Sequence, residues 1–243
     1  MLNQPSSPPP KPVTEVWRPE LVALPPLTLG RRFARAFLRG LTRLLTAATL
    51  RITVTGLENF PRNGPALIAI NHLGDADVVP LLAILPFSPI EGLGKIELYD
   101  HWFVGPLFRL YGIIWVHRGQ PDRKAIRAAL EGLAEGRMVG LAPEGRQSVI
   151  GGLEEGNDGA AFLALKSGAP IVPVALTGTE NSNVYGHLKR LKRAPVTLTV
   201  GEPFFLQAQA DRQKMIRDGT RQIMEALASL LPESYRGTYR SGS

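Results

Sequence analysis

Residues 66–77 read ALIAINHLGDAD, an apolar run that gives way abruptly to polar residues. The run Ala66–Ile70 has the length of a buried strand, and Asn71 opens a turn into a helix predicted over about Asp75–Ile84. A continuous apolar strand followed by a helix is typical of a parallel sheet that is covered on both faces. Polar residues at the carboxyl end of such a strand lie where α/β proteins bind their ligands.

Short apolar runs and helical stretches alternate on both sides of this segment. Further strands are predicted at Arg51–Thr55, Ile113–Val116, Met138–Ala142, Ile171–Ala175 and Val196–Val200. Further helices are predicted at Asp122–Ala134, at about Asp158–Ser167 and at about Ala208–Leu231. The alternation predicts an α/β fold, with a mainly parallel, twisted sheet flanked by helices and an N-terminal basic amphipathic helical segment.

Composition limits the chemistry that the chain can perform. Its 243 residues are 44% hydrophobic and 20% charged, which is typical of a globular protein with a packed core. Cysteine is absent, which excludes disulfides, thiolate nucleophiles and cysteine-bound zinc. No zinc-binding, EF-hand or paired-histidine motif is present, so no metal site is predicted. No uncharged apolar run reaches the roughly 18 residues of a membrane-spanning helix.

The positive charge of the chain is concentrated at its N-terminal end. Residues 1–56 carry six of the seven net positive charges, so the rest is nearly neutral and no nucleic-acid partner is expected. Residues 1–28 contain eight prolines and are predicted to be an extended or irregular tail. Part of this tail could lie along a surface through Trp17, Leu21, Val22 and Leu24. Residues 51–243 are predicted to form the main domain.

Residues 29–50 have a helical pattern with no acidic residue. Its apolar positions are Leu29, Phe33, Phe37, Leu41, Leu44 and Leu45, and its basic positions are Arg31, Arg32, Arg35, Arg39 and Arg43. This pattern predicts an amphipathic helix in a membrane interface, with its apolar face down and its arginines near anionic headgroups. The alternative is a helix packed on the main domain with a solvated basic face. A second basic cluster, at residues 189–193, is either a headgroup or CoA contact or a solvated loop.

His72 and Asp77 are the first candidate pair for chemistry. The turn through Gly74 can bring the Asp77 carboxylate back against the imidazole, with Asp75 as a possible helix cap. A histidine held in this way keeps one tautomer, and its other nitrogen can take a proton from a hydroxyl. The alternative is an ordinary capping or surface arrangement.

The second candidate site is the segment from Pro143 to Ser148, which follows another apolar strand. Backbone N–H groups near Gly145 could face a developing oxyanion, and Arg146 suits contact with a phosphate. Lys95 and Arg118 add two cations near the ends of strands. The alternatives are a solvated Pro-Glu-Gly turn and ordinary surface charges.

These motifs occur in a fixed order over about 110 residues, and together they are more specific than any one alone. The order is His72-x4-Asp77, Gly94-Lys95-x-Glu97-Leu98, Val116-x-Arg118-Gly119, Pro143-Glu144-Gly145 and Ile171-Val172-Pro173-Val174-Ala175. It resembles the glycerophospholipid acyltransferase family, typified by 1-acyl-glycerol-3-phosphate acyltransferase, over roughly residues 50–205. The family has Thr-Arg after Glu-Gly where this chain has Arg146-Gln147, so the cation is displaced by one residue.

The resemblance implies transfer of a fatty acyl group from acyl-CoA or acyl-carrier protein to a lysophospholipid hydroxyl, with no cofactor beyond that co-substrate. It implies that His72 is the general base and that Asp77 orients it. The residues Lys95, Arg118, Glu144, Gly145 and Arg146 are then expected to bind substrate. A peripheral or monotopic position on the cytoplasmic face of the cell membrane follows from the lipid substrates. The alternatives are a catalytically silent lipid- or membrane-binding module and a CoA-independent transacylase.

Overall fold

The structure is a computed structural model that describes residues 9–85, 90–119, 121–207 and 210–240. The first eight residues of the predicted tail lie outside these ranges, as does Ala208, where the last helix was predicted to begin.

Seven strands form one sheet in the described chain. They are β1 (Leu50–Thr55), β2 (Ala66–Ile70), β3 (Ile90–Lys95), β4 (Ile114–Val116), β5 (Met138–Leu141), β6 (Ile171–Thr177) and β7 (Ala194–Val200). Their order across the sheet is β1-β7-β6-β2-β5-β3-β4, and every neighbouring pair is parallel except β6 and β7. The predicted mainly parallel α/β sheet is therefore confirmed.

Helices cover both faces of the sheet. They are α1 (Leu29–Thr49), α2 (Val78–Ile84), α3 (Val104–Tyr111), α4 (Arg123–Ala134), α5 (Gly159–Ser167), α6 (Asn181–Leu188) and α7 (Arg212–Leu230). The helix predicted from Asp75 is divided into a 3-10 turn over Asp75–Asp77 and α2. Helices α3 and α6 were not predicted, because eight residues are too few for a repeating apolar spacing to stand out.

The central position of β2 in the sheet explains why its sequence is apolar throughout. Successive side chains of a strand point to opposite faces, so Leu67 and Ala69 pack into the cluster beneath α4, α5 and α7. Ala66 and Ile68 pack into the cluster on the other face, and all four residues are fully buried. The strand therefore ends at a fixed place, and His72 follows two residues later.

Helix α1 turns Arg35, Arg39 and Arg43 toward the protein, whereas both sequence interpretations expected the arginines near headgroups or in solvent. The guanidinium of Arg35 is buried and donates to the two carboxylate oxygens of Glu91 at 2.7 and 3.0 Å. Arg39 and Arg43 donate to backbone carbonyls at the end of α2. A buried carboxylate such as Glu91 is very costly without a charged partner, and this requirement fixes which face of α1 points inward.

The predicted apolar face of α1 points outward as a consequence, and Leu38, which is not part of that face, is buried. Phe33 and Phe37 are 75% and 68% exposed, and the other members of this apolar face are also exposed. They are Leu29, Leu41, Leu44 and Leu45. Throughout the described ranges, every helix is either too short or too polar to cross a bilayer.

The described part of the predicted tail packs against the main domain. Val22 is buried, and the carbonyl of Pro25 accepts a hydrogen bond of 2.7 Å from Arg137. A proline-rich segment forms neither helix nor sheet ladder, so its carbonyl oxygens stay available to accept hydrogen bonds from buried arginines. Residues 9–28 therefore lie along the surface of the main domain, as the apolar residues of this segment allowed.

Candidate active site

Four parallel strands bring the candidate residues to one edge of the sheet. His72 follows β2, Glu144 follows β5, Lys95 ends β3 and Arg118 follows β4. These strands are neighbours in the order β2-β5-β3-β4, so their carboxyl ends lie side by side. With strands about 4.8 Å apart, the end of β4 lies roughly 14 Å along this edge from the end of β2.

The His72 and Asp77 side chains meet as the turn through Gly74 allows. The Oδ2 atom of Asp77 lies 2.6 Å from Nδ1 of His72 and accepts from the backbone N–H groups of Leu73 and Gly74 at 2.8 and 3.1 Å. The Asp77 side chain is 5% exposed, whereas that of His72 is 37% exposed. Because a carboxylate accepts at Nδ1, the neutral imidazole carries its proton there and Nε2 keeps its lone pair. No described residue makes a hydrogen bond to Nε2 of His72.

The turn that joins the two residues is held by its neighbours. A Cβ atom on Gly74 would lie 2.2 Å from the carbonyl oxygen of Thr179, so only glycine fits there. Asp75 does not cap α2 as the sequence suggested. Its amide and its carboxylate instead exchange hydrogen bonds of 3.0 Å with the side chain of Asn181, which starts α6.

Asn71 extends the pairing of β2 with β6 beyond the last strand residue. Its side-chain amide donates to the carbonyl of Leu176 at 2.9 Å and accepts from the N–H of Leu176 at 2.7 Å. The side chain therefore acts like one more backbone pair and fixes the point at which His72 leaves the sheet.

Glu144 is buried, and its carboxylate holds the backbone of the site instead of facing outward. Its Oε1 accepts from the N–H of His72 at 3.1 Å, and its Oε2 accepts from the N–H of Glu154 at 2.9 Å. Burial raises the pKa of Glu144 to about 7, because the charged form loses its hydration. Since both oxygens are engaged by backbone amides, Glu144 lies beneath the site and is not placed to contact a substrate.

Gly145 adopts a backbone conformation that suits glycine alone. Its φ is +72°, and a Cβ atom there would lie 2.3 Å from the side-chain nitrogen of Asn157. The amide of Gly145 donates to the carbonyl of Ala142 at 3.0 Å, so this N–H closes the turn and is not directed at an oxyanion.

Arg146 is placed inside the protein, in contrast to the predicted phosphate contact. Its Nε lies 2.6 Å from Oε2 of Glu154, and its NH1 donates to the carbonyls of Pro9 and Pro10 at 2.7 and 3.2 Å. The side chain is 7% exposed. Gln147 occupies the next position and donates to the carbonyl of Leu73 at 3.0 Å.

Lys95 and Arg118 form the cationic end of the site. The guanidinium of Arg118 lies 3.7 Å from a carboxylate oxygen of Glu97, two residues beyond Lys95. The Nε of Arg118 is buried and has no hydrogen-bond partner among the described residues. Within the same ranges, the ammonium of Lys95 makes no ion pair.

A second histidine–aspartate pair has the same spacing, and sequence reasoning missed it. Nδ1 of His117 lies 2.6 Å from Oδ2 of Asp122, but Nε2 accepts from the backbone N–H of Arg18 at 3.0 Å. His117 is fully buried, so it offers no nitrogen to a substrate. The spacing His-x4-Asp was visible in the sequence, whereas the burial was not. In the part of the chain described, no cluster of three or more His, Asp or Glu is arranged to hold a metal ion.

A protein-family model described as acyltransferase matches residues 51–177, just over half of the chain. The chain belongs to this acyltransferase family. The match contains every candidate residue named above from His72 to Arg146.

Relatives within the acyltransferase family share the same stretch. The chain is 36% identical over 141 residues to a 1-acyl-sn-glycerol-3-phosphate acyltransferase of Borreliella burgdorferi, over 56% of this chain and 55% of that protein. It is 30% identical over 154 residues to the enzyme of that name from Bacillus subtilis, over 63% of this chain and 73% of that protein. The chain thus spans little more than half of the Borreliella protein.

A solved structure has the same fold. It is that of the 1-acyl-sn-glycerophosphate acyltransferase PlsC from Thermotoga maritima, with a TM-score of 0.60, 22% identity and 84% of each chain covered.

The pKa of Glu144 predicts an unusual pH dependence of stability. Because this pKa is about 7 in the folded state, against 4.5 for an ordinary carboxyl, the folded protein holds the proton more tightly between these values. Its contribution to the free energy of unfolding therefore falls by about 2 kcal/mol from pH 5 to pH 8. We expect Glu144→Gln to remove this fall in the free energy of unfolding. The measurement is denaturant unfolding of the variant and the wild type at pH 5 and pH 8. The exposed Glu58→Gln is the control, and an unchanged pH dependence in Glu144→Gln would contradict the assignment.

Proposed function

We propose that this acyltransferase-family chain transfers a fatty acyl group from acyl-CoA to the free hydroxyl of a lysophospholipid, with 1-acyl-glycerol-3-phosphate as the acceptor. The observation that carries the proposal is the imidazole of His72, held at Nδ1 by Asp77 and open at Nε2. The names of the relatives from Borreliella and Bacillus support the choice of acceptor.

The proposed reaction uses His72 as a general base. Its Nε2 takes the proton of the acceptor hydroxyl while the oxygen attacks the thioester carbonyl. The tetrahedral intermediate collapses as the C–S bond breaks, the acyl ester forms, and the thiol leaves with the proton returned from the imidazolium. Asp77 stays ionised throughout and stabilises the imidazolium. Such general-base assistance is typically worth about 10²–10⁴ in rate.

The acceptor phosphate is proposed to lie against Lys95 and Arg118. Both cations are at the carboxyl edge of the sheet, on the side of His72 where β3 and β4 end. The roughly 14 Å between the ends of β2 and β4 leaves room for a glycerol phosphate between the side chains of His72 and Arg118. Arg146 has no part in this contact, because its guanidinium is committed to Glu154 and to backbone carbonyls.

A thioester carried by acyl-carrier protein presents the same reacting atoms as acyl-CoA. A donor-omission assay separates both donors from a transacylase, which would acylate without any thioester. A catalytically silent module would bind vesicles and release no thiol with any lysolipid.

The proposal also places α1 in the membrane interface. The exposed apolar face of this helix provides the contact, and it is attached to the catalytic domain through Arg35 and Glu91. Water-insoluble acceptors then reach the site from the lipid surface. We place the protein on the cytoplasmic face as a peripheral protein, since thioester donors are held in the cytoplasm.

Substitution of the proposed base tests the reaction directly. We expect His72→Ala to lower the rate of lysophosphatidate-dependent thiol release from acyl-CoA by about 10³, within the range for a lost general base. We expect Asp77→Asn to lower this rate by a similar factor, because it favours the wrong tautomer of the His72 imidazole. His187→Ala, on α6, is the control and keeps its activity. Full activity of His72→Ala would show that the base is another group.

The membrane contact has its own test. We expect the double change Phe33→Ser and Phe37→Ser to lower co-sedimentation with anionic phosphatidylglycerol vesicles by at least about tenfold. Each buried phenyl ring contributes roughly 1.5–3 kcal/mol, and tenfold is 1.4 kcal/mol. Phe205→Ser removes an exposed phenyl ring outside α1 and is the control. Equal vesicle binding of the double variant and the control would contradict the proposed contact.

A further inference from the structure

Residues 9–18, here called the strap, cross the carboxyl-end edge of the sheet. One end of the strap contacts the loop after β5, and the other end contacts the loop after β4. Strand β3, which ends at Lys95, lies between these two strands, so the two anchors of the strap lie on either side of it.

The first anchor of the strap lies at the loop after β5. The carbonyls of Pro9 and Pro10 accept hydrogen bonds from Arg146. The ammonium of Lys11 donates to the carbonyl of Glu155 at 2.7 Å and to the side-chain oxygen of Asn157 at 3.0 Å. These contacts give the displaced arginine of this chain a partner of its own.

The second anchor clamps the backbone of Arg118. The N–H of Arg118 donates to the hydroxyl oxygen of Thr14 at 2.8 Å, and the N–H of Thr14 donates to the carbonyl of Arg118 at 3.0 Å. The next residue, Gly119, has a φ of +84°, and a Cβ atom there would lie 2.6 Å from the side chain of Val13. Both backbone polar groups of Arg118 are therefore held by one residue of the strap.

The buried pair of His117 and Asp122 completes this anchor. The N–H of Arg18 donates to Nε2 of His117, and the ring of Trp17 lies 4.3 Å from the imidazole ring, between centroids. Arg18 also forms an ion pair of 2.7 Å with Asp100. The residue that precedes Arg118 is thus fixed by the strap as firmly as Arg118 itself.

The strap is poorly suited to a purely structural role. A segment that only stabilised the fold would bury its apolar side chains, yet Val13, Val16 and Trp17 are 62%, 43% and 60% exposed. Its contacts are mainly polar and converge on the two loops that border the proposed acceptor site. Among the described residues, by contrast, the Arg118 side chain has only its 3.7 Å ion pair with Glu97, so its direction depends on how its backbone is held.

We propose that the strap is part of the acceptor site, in which Thr14 and His117 act as positioning residues that aim Arg118 at the phosphate of the acceptor. This inference rests on the proposed function. It predicts that loosening the strap weakens recognition of a phosphate monoester and leaves the acyl-transfer chemistry at His72 intact.

Thr14 allows a sharp test because valine and serine each keep a different part of its side chain. Thr14→Val keeps the shape and loses the hydroxyl, whereas Thr14→Ser keeps the hydroxyl. We expect Thr14→Val to raise the KM for 1-acyl-glycerol-3-phosphate about tenfold, because the partly buried N–H of Arg118 loses its acceptor, with kcat within about twofold of the wild type. Thr14→Ser is expected to restore the KM. With monoacylglycerol, which lacks the phosphate, both variants should match the wild type.

Two further variants separate positioning from general damage. In an Arg118→Ala background, Thr14→Val should cause no additional rise in KM, because the group that it positions is gone. Trp17→Ala removes an exposed ring at the same anchor and should raise the KM only for the phosphate-bearing acceptor. Glu58→Gln, at an exposed position outside the strap, is the control.

The strap proposal is overturned if Thr14→Val behaves like the wild type, if it raises KM equally for both acceptors, or if its effect persists without Arg118. In each of these outcomes the wild type still acylates lysophosphatidate, so the proposed function stands. If the wild type releases no thiol with any lysophospholipid, both proposals fail together.

Discussion

One carboxylate oxygen of Asp77 organises the candidate site. It lies 2.6 Å from Nδ1 of His72 and accepts from two backbone amides of the connecting turn. The amides hold the turn around the carboxylate, and the carboxylate in turn fixes the imidazole. An imidazole held in this way exposes a basic Nε2 without any rearrangement when a substrate binds, which is the preorganisation that proton transfer requires.

Residues at the ends of neighbouring strands hold the backbone around His72 and Asp77 in place. Glu144 ties the backbone of His72 to the loop after β5, and Asn71 ties the end of β2 to β6. Lys95 and Arg118 lie farther along the same edge, beyond β5, at the ends of β3 and β4. The strap then joins the loop after β5 to the loop after β4. Reactive group, cationic end and N-terminal segment therefore form one connected structure.

The sequence predicted the parts of this arrangement that depend on local spacing. The apolar run at β2, the helical periods and the return of Asp77 onto His72 are all short-range. The orientation of Arg35 and Arg146 was not predictable, because their partners are remote in sequence. Arg35 pairs with Glu91, and Arg146 bonds to carbonyls more than 130 residues away. Burial of an ionic partner decides such orientations, and no periodicity in the sequence reports it.

The account depends most directly on which nitrogen of His72 carries the proton. ¹⁵N NMR of the imidazole at pH 8, assigned by comparison with His72→Gln, measures this for the wild-type protein. The account predicts a protonated Nδ1 and an unprotonated Nε2, because Asp77 accepts at Nδ1. A proton found on Nε2 in the neutral ring would leave His72 with no base directed at an acceptor hydroxyl, and it would contradict the account.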